Sequence, residues 1–217
     1  MLQQFIVDYL DIVFLFVLVR MVLDKVTLKD IIIWLIVALP LQIISYLFSD
    51  LVPILYTAME SYFRTLRRES SQQARFDLSI AFLLIPTYLI IDNTLSVVLW
   101  LFHASELMNG IAEIVVFVIL ASLILKYNVI IKKLFVRARM VLPSVSRLLV
   151  ITSVFFGSSL AIYLYSEYTW VSLTTVLAYT FAYYLLWLIV VICLAILFKE
   201  YYDNLNSFAE TKVREYD

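Results

Sequence analysis

Seven runs of apolar residues, each closed by charged or turn residues, set the pattern of this chain: roughly 5–23, 31–48, 51–63, 76–102, 111–125, 148–165 and 170–198. A helix that crosses the hydrocarbon core of a bilayer needs about 20 apolar residues. The pattern predicts an all-α, polytopic transmembrane bundle of about seven spans. The third run falls short on length alone, and the charges between the runs argue for it.

Lysine and arginine collect on the cytoplasmic side of membrane proteins. With seven crossings and an external N-terminus, the inner segments hold Lys25 and Lys29, then Arg64, Arg67, Arg68 and Arg75, then Lys126, Lys132, Lys133, Arg137, Arg139 and Arg147. Lys199, Lys212 and Arg214 follow in the tail, and Arg20 lies near the inner end of the first helix. All 16 basic residues then lie inside and none outside. If residues 51–63 did not cross, basic loops would lie outside in either orientation. Glu60 and Arg64 are spaced to pair on one face of this short helix. Local thinning of the bilayer absorbs its deficit in length. Trp34, Trp100 and Trp170 fall near expected interfaces, where amphipathic rings are favoured; Trp187 falls mid-helix, where packing is the expected role.

Composition agrees. The chain has 217 residues, 64% of them hydrophobic and only 15% charged, with a mean hydropathy of +0.98. Soluble domains are nearer half apolar. The expected location is the plasma membrane, with multiple passes. The first residues, MLQQ, lack a basic leader and a cleavage site follows nowhere nearby, so the first run reads as a retained helix. Pro40 and Pro86 are expected to kink their helices. Only two glycines occur, which speaks mildly against a transporter built on broken helices.

Catalytic and metal-binding constellations are missing from the sequence. The single histidine, His103, falls in a short outer loop, and the single cysteine, Cys193, lies deep in the last run. Neither a multi-ligand zinc site nor a Cys/His nucleophile pair can be assembled from them. There is no HExxH and no phosphate-binding glycine loop. No cofactor is expected, and this stretch of chain reads as no enzyme. The basic segment 126–147 reads as a loop that orients the protein and contacts anionic lipid, not nucleic acid.

Ionisable groups inside apolar spans imply function by default. Asp8 and Asp11 lie toward the outer end of the first helix, Asp92 in the outer half of the fourth, and Glu113 at the start of the fifth. With Asp50, Glu106 and Glu167 in outer loops, the outer half carries acids and no base. Asp92 needs water or hydrogen bonds, with Asn93 and nearby tyrosines as candidate partners. The reading leaves open an outward-facing, water-accessible cavity or simple internal hydrogen bonding. Such a cavity attracts a cation.

Residues 199–217 read KEYYDNLNSFAETKVREYD, with no glycine or proline to stop the last helix. Phe198, Tyr201, Leu205 and Phe208 alternate at spacings of three and four, a short coiled-coil seam suited to transmitting a signal between paired helices. Residues 1–198 are thus expected to form a membrane sensor domain, and 199–217 the start of a cytoplasmic signalling helix cut from a longer protein.

The helix spacing with an external N-terminus, the segment LVPILYTAMESYFRTLRR at 51–68, and the tail together resemble the N-terminal transmembrane sensor domain of peptide-pheromone receptor histidine kinases. These are quorum-sensing receptors of the AgrC/ComD/PlnB type from Gram-positive bacteria. The resemblance covers the whole chain as a pattern. It implies a receptor for a secreted, cationic peptide, coupled as a homodimer to a histidine kinase that phosphorylates a response regulator in a two-component system controlling competence or bacteriocin production. None of the kinase lies within 1–217. Outer residues then expected to meet the peptide are Asp50, Asp92, His103, Glu106, Glu167, Tyr168 and Trp170. The competing readings are a small transporter or membrane scaffold, which needs a polar midplane site, and an intramembrane peptidase, which needs a nucleophile or metal set this sequence does not show.

Overall fold

A computed structural model describes residues 2–23, 26–47, 51–67, 70–103, 105–141, 145–169 and 173–216. Among them every regular element is a helix: α1 (Leu2–Leu23), α2 (Leu28–Leu47), α3 (Leu51–Thr65), α4 (Ser71–Leu101), α5 (Glu106–Val141), α6 (Val145–Thr169) and α7 (Leu173–Tyr216). Among the described residues, five stretches are long and apolar enough to cross a membrane: Leu28–Leu47, Ser71–Leu101, Gly110–Lys133, Val145–Tyr165 and Thr174–Asp203.

The helices are turned inside out relative to a soluble bundle. On α2 the buried face is Trp34, Ala38, Leu41, Gln42 and Ser45, while Ile32, Ile33, Leu35, Ile36, Leu39, Ile43 and Ile44 are exposed. The hidden stripe, at spacings of three and four, holds the polar Gln42 and Ser45 and the small Ala38 beside Trp34 and Leu41, and the open face is aliphatic through its middle, with Lys29 and Tyr46 exposed toward the ends. Water would penalise that surface and hydrocarbon does not. On α3 the same spacing buries Thr57, Ala58, Ser61 and Thr65. Hydroxyls inside these helices turn back on their own backbone. Thr57 donates to the Pro53 carbonyl at 2.8 Å, Ser79 to Arg75 at 2.7 Å and Thr87 to Leu83 at 2.7 Å, so no hydroxyl among these three is left bare in an apolar layer.

Successive helices run antiparallel. Arg20, near the end of α1, stands over the ring of Trp34 in the second turn of α2, while Asp8 near the start of α1 meets Gln42 near the end of α2. Phe16 of α1 packs on Tyr56 of α3, and Val19 clusters with Ala58, so α3 runs back alongside α1. Arg64 closes α3 at the end where Arg20 and Asp30 lie. α4 starts from that end, and α6 starts beside it: Phe76 clusters with Val145 and Leu148, and Arg75 donates to the Ser146 hydroxyl at 3.0 Å. Phe14 of α1 stacks on Phe117 of α5 with ring centroids 3.7 Å apart, and α7 returns to the same end, where Arg147 pairs with Glu200 at 3.0 Å. One end of the bundle, the basic end, therefore gathers Arg20, Arg64, Arg75 and Arg147.

The first helix is the axis. Residues 12, 13 and 15–22 are all buried, because α2, α3, α4 and α5 each pack on it. A helix apolar all round can be enclosed this way. α4 packs most extensively on α6, and α7 lies outside, against α6 and α4.

Several sequence expectations are revised or sharpened. Glu60 and Arg64 do pair, at 2.5 Å. Trp34 is 2% exposed, packed at the heart of the α1–α2 contact. Trp187 is not packed within the bundle but lies 39% exposed on the open face of α7. The basic segment after Leu125 is not a loop up to Val141: α5 carries on through it, since nothing between 126 and 141 breaks a helix. α2 and α4 continue through Pro40 and Pro86. α7 runs for 44 residues without a break, about 66 Å at 1.5 Å per residue, against a hydrocarbon core of about 30 Å.

Candidate functional site

Away from the basic end, two helices, α1 and α4, bring acids into one layer. Asp8 and Asp11 are three residues apart on α1 and therefore neighbours on its surface. Tyr88 and Asp92 are four apart on α4 and likewise share a face. The Tyr88 hydroxyl donates to the Asp11 carboxylate. Gln42 of α2, itself buried, donates through Nε2 to Asp8 at 3.4 Å. Nearby, the Tyr9 hydroxyl donates to the Leu35 carbonyl at 2.7 Å, tying α1 to α2.

Asp11, Tyr88, Ile91, Asp92 and Leu95 line a small cavity whose far wall is Val116, Phe117 and Leu120 of α5. No lysine or arginine is among these residues. The cavity measures about 20 Å³, enough for one water, which needs roughly 10–15 Å³ on the same measure. It admits water or a small cation in size, and no peptide side chain of ordinary bulk. Two carboxylates over an apolar wall are costly to bury dry, and both are half-buried here.

The layer is wired to the last helix. The residue after Asp92, Asn93, donates through Nδ2 to Thr180 Oγ1 of α7 at 3.1 Å. Asn93 thus faces α7 and not its neighbour Asp92. Thr94 Oγ1 and the Tyr184 hydroxyl lie 2.9 Å apart. One turn further, the buried Tyr183 hydroxyl donates to the Ser159 carbonyl at 3.3 Å, fastening α7 to α6. A displacement of α4 at Asp92 therefore reaches α7 through two polar contacts that start on the next two residues.

Of the residues the sequence singles out, Asp92 lies in this cavity. His103 does not join it: eleven residues further along, it is separated by about 16 Å of helix rise. It is exposed, and its backbone is left-handed at φ 52°. There its N–H closes a turn onto the Trp100 carbonyl at 3.0 Å, after Phe102 caps α4. That is the position glycine favours at a helix C-terminus, so the role visible for His103 is to end α4. His103→Gly is expected to leave stability unchanged or raise it, and His103→Val to lower it by about 1 kcal/mol. Thermal unfolding in detergent, followed by circular dichroism, separates the two.

Asp50 and Trp170 lie outside the described residues, as do the side chains of Glu106, Glu167, Tyr168, Leu205 and Phe208. Phe198 is exposed and Tyr201 half-buried along α7. The sequence marks Asp11 as an ionisable group in a span without making it a ligand contact, and does not mark Tyr88, Thr180 and Tyr184. The spacing of Tyr88 and Asp92 was a usable sign, since four residues put them on one face; nothing local ties either to Asp11. Among the described residues no group of histidine, cysteine and acidic side chains is arranged to hold a metal ion. Compared with protein-family models, curated proteins and solved structures, the chain matches none.

Proposed function

We propose that this chain is the membrane-embedded sensor portion of a receptor for a secreted, cationic peptide, with seven spans, its N-terminus outside and its C-terminus inside. In this reading the acidic layer lies toward the outer face and the basic end toward the cytoplasm, as the distribution of lysine and arginine favours. The peptide docks at the outer mouth of the α1–α4–α5 layer, drawn by Asp11 and Asp92. The cavity behind them is too small to receive it, so docking works by shifting α4 against α1. α7 is the output: a homodimer of such helices hands the change to a histidine kinase core and, through it, to a response regulator.

The observation that carries the reading is the polar link from the residues after Asp92 to α7, a helix that then runs unbroken to Tyr216. A receptor needs a ligand-facing element joined to a rigid element that leaves the membrane, and these residues supply that connection. The test is a reporter assay of the full-length receptor in cells. Asp92→Lys is expected to raise the peptide concentration for half-maximal response roughly tenfold or more through loss of electrostatic attraction. Asn93→Ala combined with Thr180→Val is expected to leave peptide binding in place and depress the maximal response. Unaltered dose–response curves in both variants would remove the proposal.

A further inference from the structure

At the basic end, a second cavity opens between α2 and α3. It measures about 380 Å³, within the roughly 300–1,000 Å³ range of small-molecule sites. Its floor is Trp34, with Arg20 stacked over the ring at 5.8 Å. Its walls are Ile33, Val37, Tyr56, Met59 and Phe63, and its mouth is Glu60, Arg64 and Arg67. Ile33, Met59 and Phe63 are each more than half exposed, so the trough opens sideways onto the aliphatic outer face of α2.

We propose that this cleft binds one anionic phospholipid of the inner leaflet, its phosphate held by Arg67 and Arg64 and one acyl chain lying along Ile33, Val37 and Met59. Three observations meet here. First, the mouth carries two arginines and one glutamate. Glu60 engages Arg64 at 2.5 Å, while the Arg67 guanidinium makes no ion pair among the described residues, leaving a net positive charge at the mouth. Second, the walls are apolar and continuous with the lipid-facing surface. The occupant therefore enters laterally and brings hydrocarbon with it, which a soluble anion does not. Third, α3 has 15 residues, about 22 Å of helix against a hydrocarbon core of about 30 Å. If α3 crosses, Arg64 in its last turn and Arg67 just beyond its end are drawn toward the level of the headgroups, where a phosphate drawn inward satisfies them and fills the space the short helix leaves. Arginine suits that task through its planar fork of donors. The inference rests on α3 crossing the bilayer, part of the reading above, and is independent of the peptide-receptor role.

The test uses tryptophan quenching by lipids with brominated acyl chains. A chain keeping only Trp34, with Trp100, Trp170 and Trp187 changed to Phe, is reconstituted in bilayers doped with brominated phosphatidylglycerol or brominated phosphatidylcholine. Trp34 is expected to be quenched at about fivefold lower mole fraction of the anionic lipid. A chain keeping only Trp187, on the open face of α7, reports bulk lipid and is expected to respond equally to both. Arg67→Gln is expected to abolish the preference at Trp34, and Arg67→Lys to retain part of it. Equal quenching of Trp34 by both lipids, or a preference untouched by Arg67→Gln, overturns the proposal. Where the single-tryptophan chain does not fold, native mass spectrometry of the whole chain from mixed micelles decides it. Bound phosphatidylglycerol that Arg67→Gln removes is the supporting result, and adducts of the two lipids in proportion to their supply are the overturning one.

Discussion

Cysteines introduced by Ser71→Cys and Met108→Cys, each in a Cys193→Ala background, are expected to label from opposite sides of the membrane. Ser71 opens α4 at the basic end and Met108 lies in the first turn of α5, beyond the far end of α4. Both positions are exposed, so a membrane-impermeant maleimide reaches each from its own side. α4 has 31 residues, about 46 Å of rise, more than the hydrocarbon core needs. In intact cells Met108→Cys labels and Ser71→Cys labels only after permeabilisation. The contrast is all-or-none, because a thiol on the wrong side is inaccessible and not merely slow. Labelling of both from one side would remove the odd number of crossings, the external N-terminus and the orientation of the acidic layer together.

The second large effect is energetic. Phe16→Ala is expected to destabilise the bundle by about 3 kcal/mol or more. Phe16 is fully enclosed on the axial helix, packed on Tyr56 with ring centroids 5.6 Å apart and clustered with Trp34 and Ala38. In lipid the apolar surface itself gains little from burial, since acyl chains are as apolar as the core. What is lost is close contact on every side and the void left behind. Phe181→Ala is the control: Phe181 is 69% exposed on α7, and its removal is expected to change stability by about 0.5 kcal/mol or less. Unfolding by titration of a denaturing detergent against a mild one measures both. Equal losses would mean that α1 is not the axis of the bundle.

The two cavities divide the molecule by chemistry. At one end Asp11 and Asp92 face a space for a single water; at the other, arginines face a trough large enough for a chain of carbons. α1 joins them, with Asp8 and Asp11 in its first half and Arg20 near its end. In the proposed receptor, a displacement of α1 relative to α4 would also be felt on the α2–α3 side, where the proposed lipid lies.

The sequence by itself determined what depends on composition and on near neighbours. Apolar runs long enough to span, the sorting of lysine and arginine between them, the Glu60–Arg64 pair and a last helix with no stop signal all rest on residues within a turn or two of one another, or on sums over a run. Local chemistry decides these before any helix meets another. Only the tertiary structure decided which face of each helix turns inward. A helix apolar on every side carries no stripe to announce its rotation, so Trp34 could not be known to be buried or Trp187 to be exposed. For the same reason the partner of Asp11 proved to be Tyr88, 77 residues away, and Asn93 turned to Thr180 on α7 instead of to its neighbour. Those choices follow from how the apolar helices rotate against one another to hide polar groups from an apolar surround, a condition satisfied by the whole bundle and by no segment of it alone.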